Sequence, residues 1–152
     1  MQPPISVRRA RHSDLDRILA IEHTAFGKWA WDRNLFAEYV NVCGDLFLVA
    51  GAGGKIAGYS ITCISRRLLR QRSELVSIAV LPADRGKGVA DALMRRTLGA
   101  LRRRGVPRLG LTVKVSNGRA RAFYERYGFC KVRRIPGYYE DGEDALALRL
   151  EL

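Results

Sequence analysis

The chain has 152 residues, 47% of them hydrophobic and 28% charged, which suits one globular domain, 1–152, with a buried core. A formal net charge of +12 favours anionic partners such as nucleic acid, acidic proteins or phosphorylated cofactors, and the alternative is a solvated arginine-rich surface. The sequence has neither an apolar run of membrane-spanning length nor a signal-peptide core, so we expect a cytoplasmic protein without a membrane partner.

Three cysteines, Cys43, Cys63 and Cys130, show no paired spacing, and we predict buried free thiols in a reducing compartment. A cysteine nucleophile needs a basic partner, and a zinc site needs several ligands. The only histidines of the sequence are His12 and His23. We therefore expect neither a cysteine nucleophile nor a bound metal.

The first half of the chain predicts a strand, two helices and a hairpin, in that order. We expect strands at 5–9, 46–50 and 56–64, and helices at 14–26 and 32–42. Ser13 and Asp32 stand where the capping residues of the two helices belong.

The second half predicts alternating strands and helices that end in two strands. We expect strands at 73–81, 108–115, 129–135 and 145–150, and helices at 89–104 and 117–127. Pro82 ends the first of these strands, while Gly105 and Gly128 follow the helices as C-terminal caps. The order β-α-α-β-β-β-α-β-α-β-β predicts an α/β protein with a mixed central sheet and helices on both faces.

The turn between strand 73–81 and the next helix is basic and glycine-rich. A helix N-terminus favours an anion, Gly86 and Gly88 allow close backbone approach, and Arg85 and Lys87 add positive charge. We interpret the turn as a pyrophosphate cradle, and the alternative is a strand-to-helix turn with solvated charges. A nucleotide P-loop and a dinucleotide fingerprint are both excluded, because Gly88 follows Lys87 and Asp91 occupies the third glycine position.

Two motifs, separated by one helix and one strand, together resemble the GNAT superfamily of acyl-CoA-dependent N-acetyltransferases. They are Arg85-x-x-Gly88-x-Ala90 and Asn117-x-x-Ala120-x-x-Phe123-Tyr124-Glu125-x-x-Gly128-Phe129. The resemblance extends over 5–150. It implies a GNAT-like fold with a central mixed sheet of about seven strands flanked by about four helices.

Within this superfamily the chain most resembles the protein N-terminal acetyltransferases, in particular the bacterial ribosomal-protein-alanine type. The stretches that carry this resemblance are Ile21-Glu22-x-x-Ala25-Phe26-x-x-Trp29, Val115-Ser116-Asn117 and 137–145. The implied activity is transfer of an acetyl group from acetyl-CoA to the N-terminal α-amine of a protein, by direct transfer in a ternary complex. The alternatives are a lysine side chain or a small amine as acceptor and, more remotely, a non-catalytic acyl-CoA or nucleic-acid-binding module.

No RNA-binding signature or zinc-finger spacing supports nucleic acid as a primary ligand. The resemblance implies that acetyl-CoA lies between strands 73–81 and 108–115, with its pantetheine arm paired to the backbone of the first strand and the Val80 amide facing the developing oxyanion. Plain core packing is the alternative for these strand residues. The cofactor-binding residues implied are Ile78, Ala79, Val80, Arg85, Gly86, Lys87, Gly88, Val89, Ala90, Asp91, Asn117 and Tyr124.

For catalysis, Tyr124 matches the superfamily's tyrosine, which protonates the leaving thiolate, and ring packing on the sheet is its alternative. The ribosomal-protein type has a glutamate base five residues before the motif asparagine, where this chain has Thr112. Glu74 matches the base position of histone-type members and can act through a water. Its alternative is an ion pair with Arg70 or Arg72.

At the acceptor side, the resemblance implies Phe26, Tyr138 and Tyr139 as substrate-binding residues. Trp29 and Trp31 belong either to the same wall or to ordinary packing. A run of arginines before Glu74 falls in an expected loop, where it attracts an acidic substrate or is simply solvated. These arginines are Arg66, Arg67, Arg70 and Arg72. We expect a monomer or homodimer.

Overall fold

One seven-stranded mixed sheet, in the order β1-β2-β3-β4-β5-β7-β6, organises the computed structural model, which describes residues 3–67 and 70–152. The strands are β1 Ile5–Arg9, β2 Phe47–Ala52, β3 Lys55–Arg67, β4 Arg70–Val80, β5 Arg108–Lys114, β6 Cys130–Ile135 and β7 Ala145–Glu151. The helices are α1 Leu15–Phe26, α2 Arg33–Cys43, α3 Val89–Arg103 and α4 Gly118–Arg126. The predicted element order and the mixed α/β fold are confirmed.

Helices cover both faces of the sheet. This explains why the residues of β2 are apolar throughout. Phe47 and Val49 join the core beneath α1 and α2, whereas Leu48 joins Leu93 of α3 in the core on the other face. Because successive side chains of a strand point to opposite faces, a strand buried on both sides needs a continuous apolar run. In the described residues no helix is long and apolar enough to cross a membrane.

The beginning of α1 differs from the prediction that Ser13 caps it. A short 3-10 turn, His12–Asp14, precedes the helix, and the Asp14 carboxylate accepts the Arg11 amide at 2.8 Å. The same carboxylate accepts two hydrogen bonds from Arg8, each 2.8 Å long, which lower the pKa of Asp14. Arg8 lies on β1, so the bidentate pair depends on a tertiary contact rather than on the local helix-start pattern.

The prediction of free thiols is wrong for two of the three cysteines, and the prediction of burial is wrong for the third. Cys43, the last residue of α2, forms a disulfide with Cys63 of β3, with a Cα–Cα distance of 4.9 Å. The end of α2 packs on the face of β3 that carries Cys63, and this tertiary contact brings together residues 20 positions apart. Cys130 is a free thiol but is exposed rather than buried.

We expect Cys63→Ser to lower the free energy of unfolding by about 3 kcal/mol, because the disulfide closes a loop and restricts the unfolded chain. Urea unfolding of the oxidised protein measures this loss of stability. A reducing agent should lower the free energy of unfolding of the wild type to that of the variant. Cys130→Ser is the matched control and should unfold like the wild type. A wild type insensitive to reductant and equal to Cys63→Ser would remove any stabilising role for this bond.

Candidate functional site

The two parallel strands β4 and β5 meet at one point and then separate. Their single register pair is Glu74 with Gly110, and beside it the Ser73 hydroxyl donates to the Arg108 carbonyl. On its other edge β4 stays paired with β3 as far as Val80, which faces Gly58. The backbone of 75–80 therefore borders an open gap towards β5, where an extended ligand with amide groups can pair as an added strand.

Gly58 of β3 allows close packing beside this end of the gap. A Cβ on Gly58 would lie 2.8 Å from the Ala79 carbonyl oxygen and 3.0 Å from a methyl carbon of Val89. Only glycine allows β3, the end of β4 and the first turn of α3 to approach so closely. The predicted residues Ile78, Ala79 and Val80 thus lie on the edge of the gap, directly ahead of the glycine-rich turn.

The glycine-rich turn leads into α3 with two residues in the left-handed region, Gly86 at φ 78° and Gly88 at φ 89°. The first backbone hydrogen bond of the helix runs from the Ala92 amide to the Gly88 carbonyl, so the amides of 89–91 precede the ladder and are available to an anion. Lys87 forms an ion pair with Asp84 at 3.2 Å, which offsets part of its charge.

The side chains of two predicted cofactor residues form hydrogen bonds with other residues of the protein. The Asp91 carboxylate accepts a 2.6 Å hydrogen bond from the Tyr127 hydroxyl and lies 3.6 Å from the Arg126 guanidinium, so it faces α4. The Asn117 side-chain oxygen accepts the Ala120 amide at 3.2 Å and caps α4. Asp91 can therefore contact a phosphate only through its backbone amide. The cofactor role of Asn117 stays a prediction.

Tyr124 lies on α4 with its ring between two aromatic neighbours, Phe123 and Phe129, at centroid distances of 5.6 Å. Its side chain is 8% exposed, and no hydrogen-bond partner for its hydroxyl is present in 3–67 or 70–152. Burial, reinforced by the neighbouring Tyr139, raises the pKa of the Tyr124 phenol well above its ordinary value. The phenol is therefore protonated throughout the neutral range and can donate a proton but not remove one.

Glu74 stands at the point where β4 and β5 separate. The residue is exposed as a whole, but the protein around its carboxylate removes part of the hydration and raises the pKa of Glu74. The ion pair with Arg70 or Arg72 does not form, because the described residues contain no salt bridge to Glu74. Tyr39 of α2 is close enough for the Glu74 charge to raise the pKa of its phenol.

Thr112 shares a face of the sheet with Glu74. It lies two residues beyond Gly110 on β5, and alternation along a strand returns its side chain to the face of the Glu74–Gly110 pair. The Thr112 side chain approaches the half-buried Tyr139, whose pKa is raised by burial despite the lowering effect of this contact. The geometry therefore groups Glu74, Thr112 and Tyr139 on one side of the gap.

The loop that carries Tyr138 and Tyr139 is fixed to the end of β5 by Lys114, which the sequence did not single out. Lys114 Nζ donates to Asp141 at 2.6 Å, lies 3.9 Å from Glu143 and sits 5.3 Å from the centre of the Tyr139 ring. No local pattern marks this lysine, because its partners come from 27 and 29 residues further along the chain. Tyr138 itself is half exposed and packs edge-on against Tyr139 at 5.0 Å.

The other predicted wall of the acceptor site is the connection between α1 and α2. Phe26 and Trp29 are each 41% exposed and are available to a ligand. Trp31 instead packs against Phe36 and Tyr39 at centroid distances of 5.8 and 5.9 Å, which is the ordinary packing considered from the sequence.

A buried carboxylate, Glu22 of α1, holds this wall in place. It is 2% exposed, accepts the Trp31 amide at 2.9 Å and accepts a hydrogen bond from the Tyr59 hydroxyl. Tyr59 in turn contacts the Ser77 hydroxyl of β4 at 3.1 Å, and burial raises the pKa of Glu22. Glu22 occurs in the stretch that carries the family resemblance, but only the fold reveals its partners.

A cavity of about 310 Å³ lies beside the glycine-rich turn, outside the gap between β4 and β5. Arg17, Lys55 and Lys87 line it together with apolar residues near Ile5. It has none of the residues grouped around Glu74 and Tyr124. The described residues also contain no cluster of His, Cys, Asp and Glu suited to a metal ion.

Comparisons with known proteins agree on one family. The model of the acetyltransferase (GNAT) family matches residues 13–129. An N-alpha-acetyltransferase of Saccharolobus solfataricus is 33% identical over 149 residues, covering 92% of this chain and 89% of the relative. The crystal structure of the ribosomal-protein-S18-alanine N-acetyltransferase from Escherichia coli is 29% identical, with a TM-score of 0.83 and coverage of 97% and 94%. Ard1 from Thermoplasma volcanium, 23% identical, shares the fold with a TM-score of 0.90 over 97% of both chains.

Proposed function

Because the chain belongs to the acetyltransferase (GNAT) family, we propose that it transfers an acetyl group from acetyl-CoA to the N-terminal α-amine of a protein. One observation carries the proposal: the strands β4 and β5 separate after Glu74 and Gly110, with the buried Tyr124 of α4 on one face of the sheet and Glu74 and Tyr139 on the other. Two substrates can then meet in the gap from opposite faces of the sheet.

The residues of the gap fit acetyl-CoA as cosubstrate. The unpaired edge at 75–80 suits the amide groups of a pantetheine arm, and the free amides at 89–91 with Arg85 suit a pyrophosphate. Gly86 and Gly88 keep side-chain atoms away from that phosphate site. An amide at the end of β4, that of Val80, is the candidate donor to the developing oxyanion.

The reaction needs one proton transfer on each side of the gap, with Glu74 as the base and Tyr124 as the acid. Glu74 accepts a proton from the acceptor amine, directly or through a water, and the neutral amine attacks the thioester carbonyl. A carbon–nitrogen bond forms and the carbon–sulfur bond breaks, while the Tyr124 hydroxyl gives its proton to the departing thiolate. The nitrogen of the new amide loses its second proton to water, and Tyr124 takes a proton back from water. The raised pKa of the Tyr124 phenol keeps it in the acid form that this step requires.

An α-amine suits this arrangement better than a lysine. The ordinary pKa of an α-amine is about 8, against about 10.4 for lysine, so the Glu74 carboxylate, whose pKa is raised, deprotonates an α-amine at lower cost. The exposed Phe26 and Tyr138 and the neighbouring Tyr139 are the residues that we assign to binding the backbone of a peptide acceptor. The relatives named for N-terminal acetylation support the same acceptor class.

We expect the enzyme to act in the cytoplasm, where acetyl-CoA and newly synthesised N-termini occur together, as a monomer or homodimer. There the Cys43–Cys63 disulfide would be exposed to reductants, so activity assays need both oxidised and reduced protein.

A matched pair of peptides tests the acceptor. One peptide has a free α-amine and a dimethylated internal lysine, and the other has an acetylated N-terminus and a free lysine. We expect the purified protein with acetyl-CoA to add one acetyl group to the first peptide only, as measured by intact mass. Acetylation of the second peptide alone would assign the enzyme to lysine side chains instead.

A further inference from the structure

The long β3–β4 hairpin carries arginines onto the face where the acceptor amine is proposed to bind. Sequence reasoning expected a loop here, but β3 reaches Arg67 and β4 begins at Arg70, so Arg66, Arg67, Arg70 and Arg72 lie on strands. The residues between the two strands, 68 and 69, lie outside the description. A strand fixes the face on which Arg70 and Arg72 project, which a loop would not do.

Alternation along β4 places Arg70 and Arg72 on the same face as Glu74. The register supports this, since Glu74 pairs with Cys63, Arg72 with Ser65 and Arg70 with Arg67 in one antiparallel ladder. Cys63 faces α2, to which its disulfide joins it, so this is the face that also carries Thr112 and Tyr139. The row of Glu74, Arg72 and Arg70 thus leads away from the catalytic gap along one face.

Arg70 and Arg72 are exposed, and their guanidinium groups have no carboxylate partner among the described residues. Other arginines of this basic chain are neutralised by carboxylates, for example Arg8 by Asp14 and Arg134 by Asp144. Glu38 of α2 raises the pKa of Tyr39, as Glu74 does, but it forms no salt bridge with Arg70 or Arg72 among the described residues. The face therefore offers uncompensated positive charge beside the acceptor site.

The spacing matches the first residues of a peptide. Two residues along a strand span about 6.7 Å, so Arg72 and Arg70 lie about 7 and 13 Å from Glu74 along the strand. An extended peptide advances at about 3.3 Å per residue, which puts the side chains of its second to fifth residues within reach of the arginines when its amine is at Glu74.

Resting on the proposed function, we propose that this enzyme selects N-termini whose second to fifth residues are acidic, and that Arg70 and Arg72 read those carboxylates. Exposed ion pairs contribute little each, but they also accelerate encounter with an oppositely charged peptide and disfavour a positively charged one. A basic N-terminal segment is thus a poor substrate, although its α-amine has the same chemistry.

A set of three peptides measures this selectivity. All three begin with alanine and differ at positions two to five, which are acidic, amidated as Asn and Gln, or lysine. At low salt we expect kcat/KM for the acidic peptide to exceed that for the neutral peptide by about fivefold, and the lysine peptide to fall below both. The difference should shrink as ionic strength rises, because exposed charges are screened.

A double charge reversal, Arg70→Glu with Arg72→Glu, should invert the order of the acidic and lysine peptides. The matched control is Arg96→Glu with Arg102→Glu, two exposed residues of α3 on the other face, which changes the net charge equally. If both double variants change the order of kcat/KM for the acidic and lysine peptides in the same way, the overall charge sets the preference rather than this row of arginines. The inference is then overturned.

The remaining outcomes separate this inference from the proposed function. Equal kcat/KM for all three peptides in the wild type would overturn the inference and leave N-terminal acetylation standing. Failure to acetylate any of the three α-amines would overturn both.

Discussion

Tyr124→Phe is expected to lower kcat by about a hundredfold, because a positioned general acid contributes at least that much to such a transfer. The ring stays in its aromatic setting between Phe123 and Phe129, and the hydroxyl that is lost has no partner in the described chain. Folding should therefore be preserved, and KM for acetyl-CoA should change little. Steady-state release of CoA measures the effect, with thermal unfolding as the check on folding.

Tyr127→Phe is the matched control for this variant. Tyr127 directly follows the last residue of α4, but its phenol donates to Asp91 of α3. We expect its kcat to stay within about threefold of the wild type, since no proton transfer is assigned to it. Full activity in Tyr124→Phe would show that the thiolate takes its proton from elsewhere, and the role of Tyr124 would reduce to packing.

Glu74→Gln is expected to lower kcat/KM by about a hundredfold at pH 7, because the acceptor amine is then largely protonated and the carboxylate that removes its proton is gone. At pH 9 an α-amine is already neutral, so the deficit should shrink to within about tenfold. Glu38→Gln, on the neighbouring helix, removes a charge of the same sign and should stay within about twofold of the wild type.

The pH profile of the wild type reports the same group. Partial desolvation raises the pKa of Glu74, and a base acts only when deprotonated, so kcat/KM should fall as the pH drops through that raised pKa. This acid limb should disappear in Glu74→Gln, leaving only the rise that the substrate amine itself causes near its pKa of about 8. An unchanged acid limb in the variant would assign the base to another residue.

Local patterns were sufficient for the order of the elements. Glycines close the helices at Gly105 and Gly128, Asp32 caps α2, and apolar runs such as that of β2 mark strands buried on both faces. The ends of the elements differ by a few residues, most of all in the β3–β4 hairpin, where charged residues extend two strands that propensity alone would end earlier.

Tertiary contacts account for what the sequence did not reveal. Cys43 and Cys63 meet only because α2 ends against β3. At the start of α1, Arg8 of β1 binds Asp14, whereas the sequence pattern indicates Ser13 as the cap. The same holds within the site, where Lys114 fixes the tyrosine loop and Glu22 fixes the opposite wall. The positions of Glu74 and Tyr124 came from a family resemblance, whereas the separation of β4 and β5 is a property of the sheet that no short pattern encodes.

A crystal structure with a conjugate of CoA and an alanine-initiated acidic peptide tests the account most directly. We predict that the pantetheine arm pairs with the backbone at 75–80 and that its sulfur lies within hydrogen-bond reach of the Tyr124 hydroxyl. The peptide nitrogen should lie on the face of Glu74, one water or less from its carboxylate. A conjugate bound in the cavity beside Arg17 and Lys55, or one whose peptide avoids Glu74 and Tyr139, would contradict the assignment of the gap as the active site.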